Sequence, residues 1–210
     1  MKNFLFLIFA AFSLDLVAQS VVVNKYFNQG TSGAAEAGDV VELLVIQNNL
    51  DMRGMIVKDF TSSMANDGGG KFTFANISLW SSVPSGTLII LRNNNSAADT
   101  LASDFVLDVG LQNAALFANG GGTFDIATTE MIMIKSAGSG AAGVTGSIHA
   151  LAGGAEGAQF TSAPNPKLRA TGTSGSTQFV FANNSTQSLS DFNGTDATGA
   201  ATGLTFGQGN

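Results

Sequence analysis

Short runs of apolar and β-branched residues, each closed off by Gly, Asn, Asp or Ser, recur along almost the whole chain and limit what it can fold into. Val21–Phe27, Val40–Gln47, Phe72–Phe74, Thr87–Arg92, Phe105–Val109, Met131–Lys135, Gly146–Ala150 and Gln178–Phe181 are all of this kind. Runs this brief are strand length rather than helix length, and about nine of them separated by turn chemistry predict an antiparallel sandwich or barrel. Helical periodicity is thin: Ala97–Ala102 and Asn113–Ala118 have room for a turn or two. The stretches Asn66-Asp67-Gly68-Gly69-Gly70, Asn93-Asn94-Asn95-Ser96 and Asn119-Gly120-Gly121-Gly122 supply residues that tolerate positive φ, so they read as tight turns or exposed loops.

Composition agrees with this class. Only 11% of the 210 residues are charged and 26 are Gly, so the polar surface is built mainly from Ser, Thr, Asn and Gln. Such a chain is long enough for one sizeable core. Residues 1–18 read as a secretory signal, with Lys2 at the start, an apolar run from Phe4 to Phe12 and Ala18 before the cut. That run is too short for a membrane span, which takes roughly 20 residues. A domain over residues 19–190 follows, and the polar, glycine-rich stretch 191–210 reads as a tail or linker leading into further sequence. The expected location is extracellular or at the cell surface.

With no Cys in the chain, disulfides, thiolate metal sites and thiol nucleophiles are all excluded. The net charge is −6 and remains so without Lys2 and Asp15, which cancel. The cations are scattered singly, with no basic stripe for nucleic acid and no polybasic cluster for anionic lipid.

Candidate chemistry is correspondingly sparse. Gly138, Gly140 and Gly143 match GxGxxG in form, but the residues after them, Val144 to Ala150, are not an amphipathic helix. A hairpin loop is the expected reading, and a dinucleotide cofactor is not. His149 is the only imidazole, and Ser147 lies two residues away on the same expected strand, too far for a nucleophile and base pair; His149 is expected at a strand edge. Asp99, Asp104 and Asp108 are weak candidates for Ca²⁺, and with Asp125 and Glu130 they are the acids available to a carboxylate hydrolase. Asp104 and Asp108 flank an apolar set of Phe105, Leu107 and Val109, which predicts that they face solvent. No other cofactor is indicated.

The segments VVVNKYFNQG, DVVELLVIQN, LDMRGMIVKDF and VPSGTLIILRN resemble, in order and spacing, the lamin-tail domain, an immunoglobulin-like β-sandwich found in nuclear lamins and in bacterial secreted proteins. The matching positions are Val22, Val23 and Asn24; Val41, Glu42 and Leu43; Asp51, Met52, Gly54 and Asp59; and Pro84, Gly86, Ile89 and Ile90. Lys25 stands where that family usually has Glu, and Met55 where it often has Trp. The resemblance implies a non-catalytic recognition or adhesion module with an extracellular protein or glycan as partner. In it Asn24, Glu42, Asp51, Gly54, Asp59, Pro84 and Gly86 are structural residues. A carboxylate hydrolase and a structural surface-matrix subunit are the alternatives.

Overall fold

The computed structural model describes residues 19–28, 38–61, 63–122, 124–127, 129–154 and 157–170, the backbone of 178–182, 194–195 and 198–201, and the turn at 206–207. The proposed signal at 1–18 lies outside the described residues. The chain is an all-β sandwich of two mixed, seven-stranded sheets. One sheet runs in the order β14 (Thr198–Ala201), β12 (Gln178–Ala182), β1 (Val21–Asn28), β2 (Val40–Val45), β5 (Leu88–Arg92), β7 (Val106–Gly110), β6 (Ala97–Asp99). The other runs β13 (Gly194–Thr195), β11 (Lys167–Ala170), β10 (Ser147–Gly153), β9 (Met131–Lys135), β3 (Ile56–Phe60), β4 (Lys71–Phe74), β8 (Phe117–Asn119).

Three features depart from the sequence reading. Strands are more numerous than the apolar runs: β3 and β11 lie outside those runs, and β6, β8, β13 and β14 are short or polar and are made strands by their neighbours' unpaired edges. Pairing is not purely antiparallel: β5 with β7, β10 with β11, and β11 with β13 run parallel. The 191–210 stretch, expected to be a tail, supplies β13 and β14, one to each sheet.

The inner faces meet in one core. Val21, Val23, Val41, Leu43, Ile89, Leu91, Leu107 and Val109 from the first sheet face Val57, Phe72, Phe74, Ile132, Ile134, Leu151 and Leu168 from the second. Trp80 plugs one end, its ring edge-on to Phe74 at 4.9 Å and its indole N–H donating to the Leu116 carbonyl at 3.0 Å. The second sheet's outer face is covered as well. Phe60, Met131, Met133, Ala150 and Ala152 pack there under Met64 and a single-turn helix, α1 (Ala158–Ser162), through Phe160. Strands covered on both faces lose the alternation of a half-exposed sheet and read as continuous apolar runs; all five residues of β3 and of β9 are buried.

Candidate functional site

Seven charged side chains among the described residues lie inside this molecule. Lys25, Asp39, Glu42, Lys58, Asp59, Glu130 and Lys135 are all buried, and ionic groups stay in such positions only when paired or hydrogen-bonded. They fall into three groups.

The first closes one end of the sandwich. Asp59 on β3 and Glu130 just before β9 face inward, on the same side as Val57 and Ile132, and Asp39 enters from the segment before β2. Three consecutive backbone N–H groups are caught there: Asp125 donates to Asp59 Oδ2 at 3.2 Å, Ile126 to Asp39 Oδ2 at 2.5 Å, and Ala127 to the Glu130 carboxyl. Segment 124–127 is thereby fixed between the two sheets, with Phe124 driven into the core against Phe72 and its carbonyl accepting from Asn93 Nδ2 at 2.6 Å. Two glycine loops lie close against it. A side chain at Gly69 would sit 2.2 Å from the Asp59 carbonyl oxygen, and one at Gly122, φ 79°, would sit 2.3 Å from the Gly69 carbonyl, so only glycine fits at either place.

Asp59 and Glu130 also bond to each other. Asp59 Oδ1 and Glu130 Oε2 are buried without any N–H or O–H donor among the described residues, and two ionised carboxylates cannot supply one. A proton held between them satisfies both oxygens and removes one of two adjacent negative charges. Burial is the main cause that raises both carboxyls, Asp59 to about 7 and Glu130 to about 10. Tyr26 completes the cluster: its hydroxyl donates to the Glu130 backbone carbonyl at 3.4 Å, and burial beside these acids keeps the phenol protonated well above its ordinary range.

The second group sits on the outer face of the first sheet. The β1–β2 register slips by one between Val23 and Lys25. This bulge turns both Asn24 and Lys25 toward Glu42, although successive residues of a regular strand point to opposite faces. Asn24 Nδ2 donates to Glu42 Oε1 at 2.6 Å, Lys25 Nζ lies 3.4 Å from the same oxygen, and the Gly207 backbone N–H donates to Oε2 at 2.7 Å. Burial raises the Glu42 carboxyl, opposed by Gly207, Lys25 and Asn24. Val23 lies beyond the β12 pairing, which covers Lys25 to Asn28, and its N–H is accepted by His149 Nδ1, on the opposite sheet, at 3.0 Å. His149 is therefore not at a strand edge: β10 lies between β9 and β11, and the imidazole is fully buried as a tie between sheets. Its Nδ1 lone pair is committed to that bond and is not available as a base for Ser147.

The third group pins loops over the second sheet. Lys58 Nζ meets Asp67 Oδ1 at 2.6 Å, and Asp67 Oδ2 accepts the Gly143 N–H at 2.8 Å. Lys135 Nζ donates to the carbonyls of Ala141, Ala142 and Gly143 at 3.3, 3.1 and 2.8 Å. Burial lowers both ammonium groups from their ordinary value. The GxGxxG glycines belong to this loop, between β9 and β10, all three with positive φ. It is the hairpin loop expected from the sequence.

Of the acids named from sequence, Asp99 and Asp108 are cross-strand partners on β6 and β7, but the five do not gather at one place. Asp108 is not a free surface acid; it grips Arg92 through both oxygens, at 2.6 and 2.7 Å. Asp99 Oδ1 and Asp104 Oδ1 accept the backbone N–H groups of Leu101 and Val106. Those three lie at the β6–β7 edge, whereas Glu130 is in the sealed acid cluster with the exposed Asp125 beside it. Among the described residues no three His, Asp or Glu are grouped so as to hold a metal ion. Asp51 pairs on the surface with Arg53, which holds its carboxyl down at about 2. Gly54 and Gly86 take positive φ, with Pro84 at the same turn as Gly86. Phe105, expected inside a strand, instead turns out of the sheet with φ 66° and is 49% exposed, near Leu101, which is 62% exposed.

Asp39, Lys58, Asp67 and Lys135 were not singled out from sequence. A detectable signal exists for the lysines: Lys58 follows Met55-Ile56-Val57 and Lys135 closes Met131–Lys135, stretches too apolar to be half exposed.

Among the described residues no helix is long and apolar enough to cross a membrane. Comparison with protein-family models, with curated proteins and with solved structures finds no match. The fold and its buried charges therefore define the class, an all-β sandwich closed by internal polar clamps.

Proposed function

We propose that the chain is a secreted or cell-surface, non-catalytic recognition module of the immunoglobulin-like, lamin-tail kind, binding an extracellular protein or glycan. The observation that carries this reading is the turn after β6. Leu101 and Phe105 are the exposed large apolar side chains among the described residues, and they stand on a rigid support. Asp99 and Asp104 cap the backbone on either side of them, and the Leu88 N–H donates to the Phe105 carbonyl at 2.9 Å. A bulky residue at positive φ costs about 1–2 kcal/mol, and here that cost displays a ring to solvent. Catalysis draws less support, because the carboxyl pair in the core, Asp59 and Glu130, is 1% and 3% exposed and occupied with backbone N–H groups.

The test is saturable binding of the purified chain to a panel of extracellular polysaccharides and envelope proteins, compared with a Leu101→Ser/Phe105→Ser variant. Expected is an unchanged urea midpoint and an affinity weakened by about tenfold or more, as for apolar anchor residues. Equal binding by the variant overturns the reading, and polymer cleavage that is lost in Glu130→Gln moves it to a hydrolase.

A further inference from the structure

We propose that Asp59 and Glu130 form a one-proton latch: while they share a proton, segment 124–127 is locked between the sheets, and when the proton leaves, this end of the sandwich opens.

The geometry carries the proposal. The two carboxyls bond to each other, each has an oxygen with no other donor, and both hold the backbone of the same short segment. Ionised, they are two like charges in contact inside the protein, and the field from every packed element makes that worse or leaves it uncompensated. Asp39 enters from the segment before β2 and Asp125 from the clamped segment itself, both acidic, while Tyr26 on β1 offers only a neutral hydroxyl already bonded to a carbonyl. Lys58 is the cation that acts on Asp59, and it projects to the opposite face of β3, where Asp67 engages it. Opening is the relief available. Segment 124–127 has its N–H groups tied to acids rather than to a strand ladder, so it swings out without breaking either sheet.

The direction in pH follows from linkage. A carboxyl whose folded pKa lies above its unfolded one contributes stability that is full below the unfolded value and lost as pH rises through the folded value. Both carboxyls are raised, burial being the largest cause in each. The latch is thus closed in acid and slackens toward alkaline pH, opposite to the usual acid loosening of ion-paired proteins.

Amide hydrogen exchange on the full chain, corrected for the intrinsic pH dependence of exchange, tests this between about pH 6 and about pH 9. Protection of Ile126 and Ala127 is expected to fall by up to about tenfold per pH unit, while that of Ile89 and Ile132 in the sheets stays level. Glu130→Gln, whose amide donates to Asp59 at any pH, is expected to abolish the fall. A flat wild-type profile, or an equal fall in Glu130→Gln, overturns the proposal. An infrared carbonyl band from a protonated carboxyl at neutral pH, absent in Asp59→Asn/Glu130→Gln, is the second readout. Its absence from the wild type overturns the proposal independently of how the variants fold.

Discussion

Removing Glu42 is the sharpest test of how this fold is held. Its carboxylate pairs with Lys25 at 3.4 Å and accepts from Asn24 Nδ2 at 2.6 Å and the Gly207 N–H at 2.7 Å, with both ionic side chains at 0% exposure. Glu42→Ala takes away the carboxylate beside a buried ammonium and the acceptor of two donors, Asn24 buried and Gly207 part-buried. Breaking such a pair from one side costs about 3–5 kcal/mol, which for a chain this size lowers Tm by roughly 6–20 °C. Replacing both charges by apolar groups is different, because the desolvation of two ions is then no longer required. Lys25→Met/Glu42→Leu is therefore expected within about 2 kcal/mol of wild type, even though Asn24 and Gly207 still lose an acceptor. Trp80 is the single tryptophan, buried at 0% exposure, so urea unfolding followed by its fluorescence compares the wild type with both variants. If Glu42→Ala costs under about 1 kcal/mol, or if the double variant is no more stable than Glu42→Ala, the pair is not the keystone of this face.

Other consequences are as direct. His149→Phe fills the core but leaves the Val23 N–H without its acceptor, and it should cost about 1–3 kcal/mol in the same urea assay. Ending the chain at Thr205 removes the Gly207 N–H that meets Glu42; amide exchange across β2 should quicken, and the urea midpoint should fall by the equivalent of about 1–2 kcal/mol. Asp67 is held below the usual carboxylate range by Lys58 and Gly143, which outweigh its burial. Its contribution is present above the unfolded Asp value and lost as pH falls through the folded one, so Asp67→Asn should flatten the acid limb of the Tm against pH curve. Gly69→Ala and Gly122→Ala should each be strongly destabilising, because a methyl group there meets backbone at 2.2–2.3 Å; circular dichroism melts check both.

The class of fold was legible because strand length, turn residues and apolar runs are local signals. Met131–Lys135 and Val40–Val45 could hardly be anything but buried strands. What could not be read was which polar residues face inward. Asp108 and Glu130 are both acids beside apolar runs, yet one grips an arginine at a sheet edge and the other is sealed in the core. The difference lies in what the fold brings to each, Arg92 from the neighbouring strand to Asp108 and Asp59 with the Ala127 N–H to Glu130, and that pairing is non-local. His149 shows the same limit. It is buried on an interior strand and its partner is the Val23 N–H, 126 positions away, and no periodicity in Gly146–Ala150 announces either. For Lys25 and Glu42 a signal was present, opposite charges within two long apolar runs, but their pairing needed the register.

The low charge of the sequence thus has a physical sense beyond a polar surface. Seven of its ionic side chains are buried, and most of them hold something that lacks a strand partner: Asp39, Asp59 and Glu130 hold segment 124–127, Glu42 holds Gly207, and Lys58 and Lys135 hold the loops at Asp67 and 141–143. Without cysteine, a sandwich with long glycine loops has no covalent way to fix them. A charged side chain rooted in a strand and reaching a loop backbone does the same work, since a hydrogen bond to an ionised group is worth about twice a neutral one. The cost is sensitivity to protonation, which a disulfide does not have. In this molecule that sensitivity is greatest where two clamps of the same sign touch, at Asp59 and Glu130. The three clamp groups differ in this respect: the Lys58 and Glu42 clamps each place a cation beside an anion, and only the end closure is built from acids alone, so pH should act on that end before it reaches the sheets.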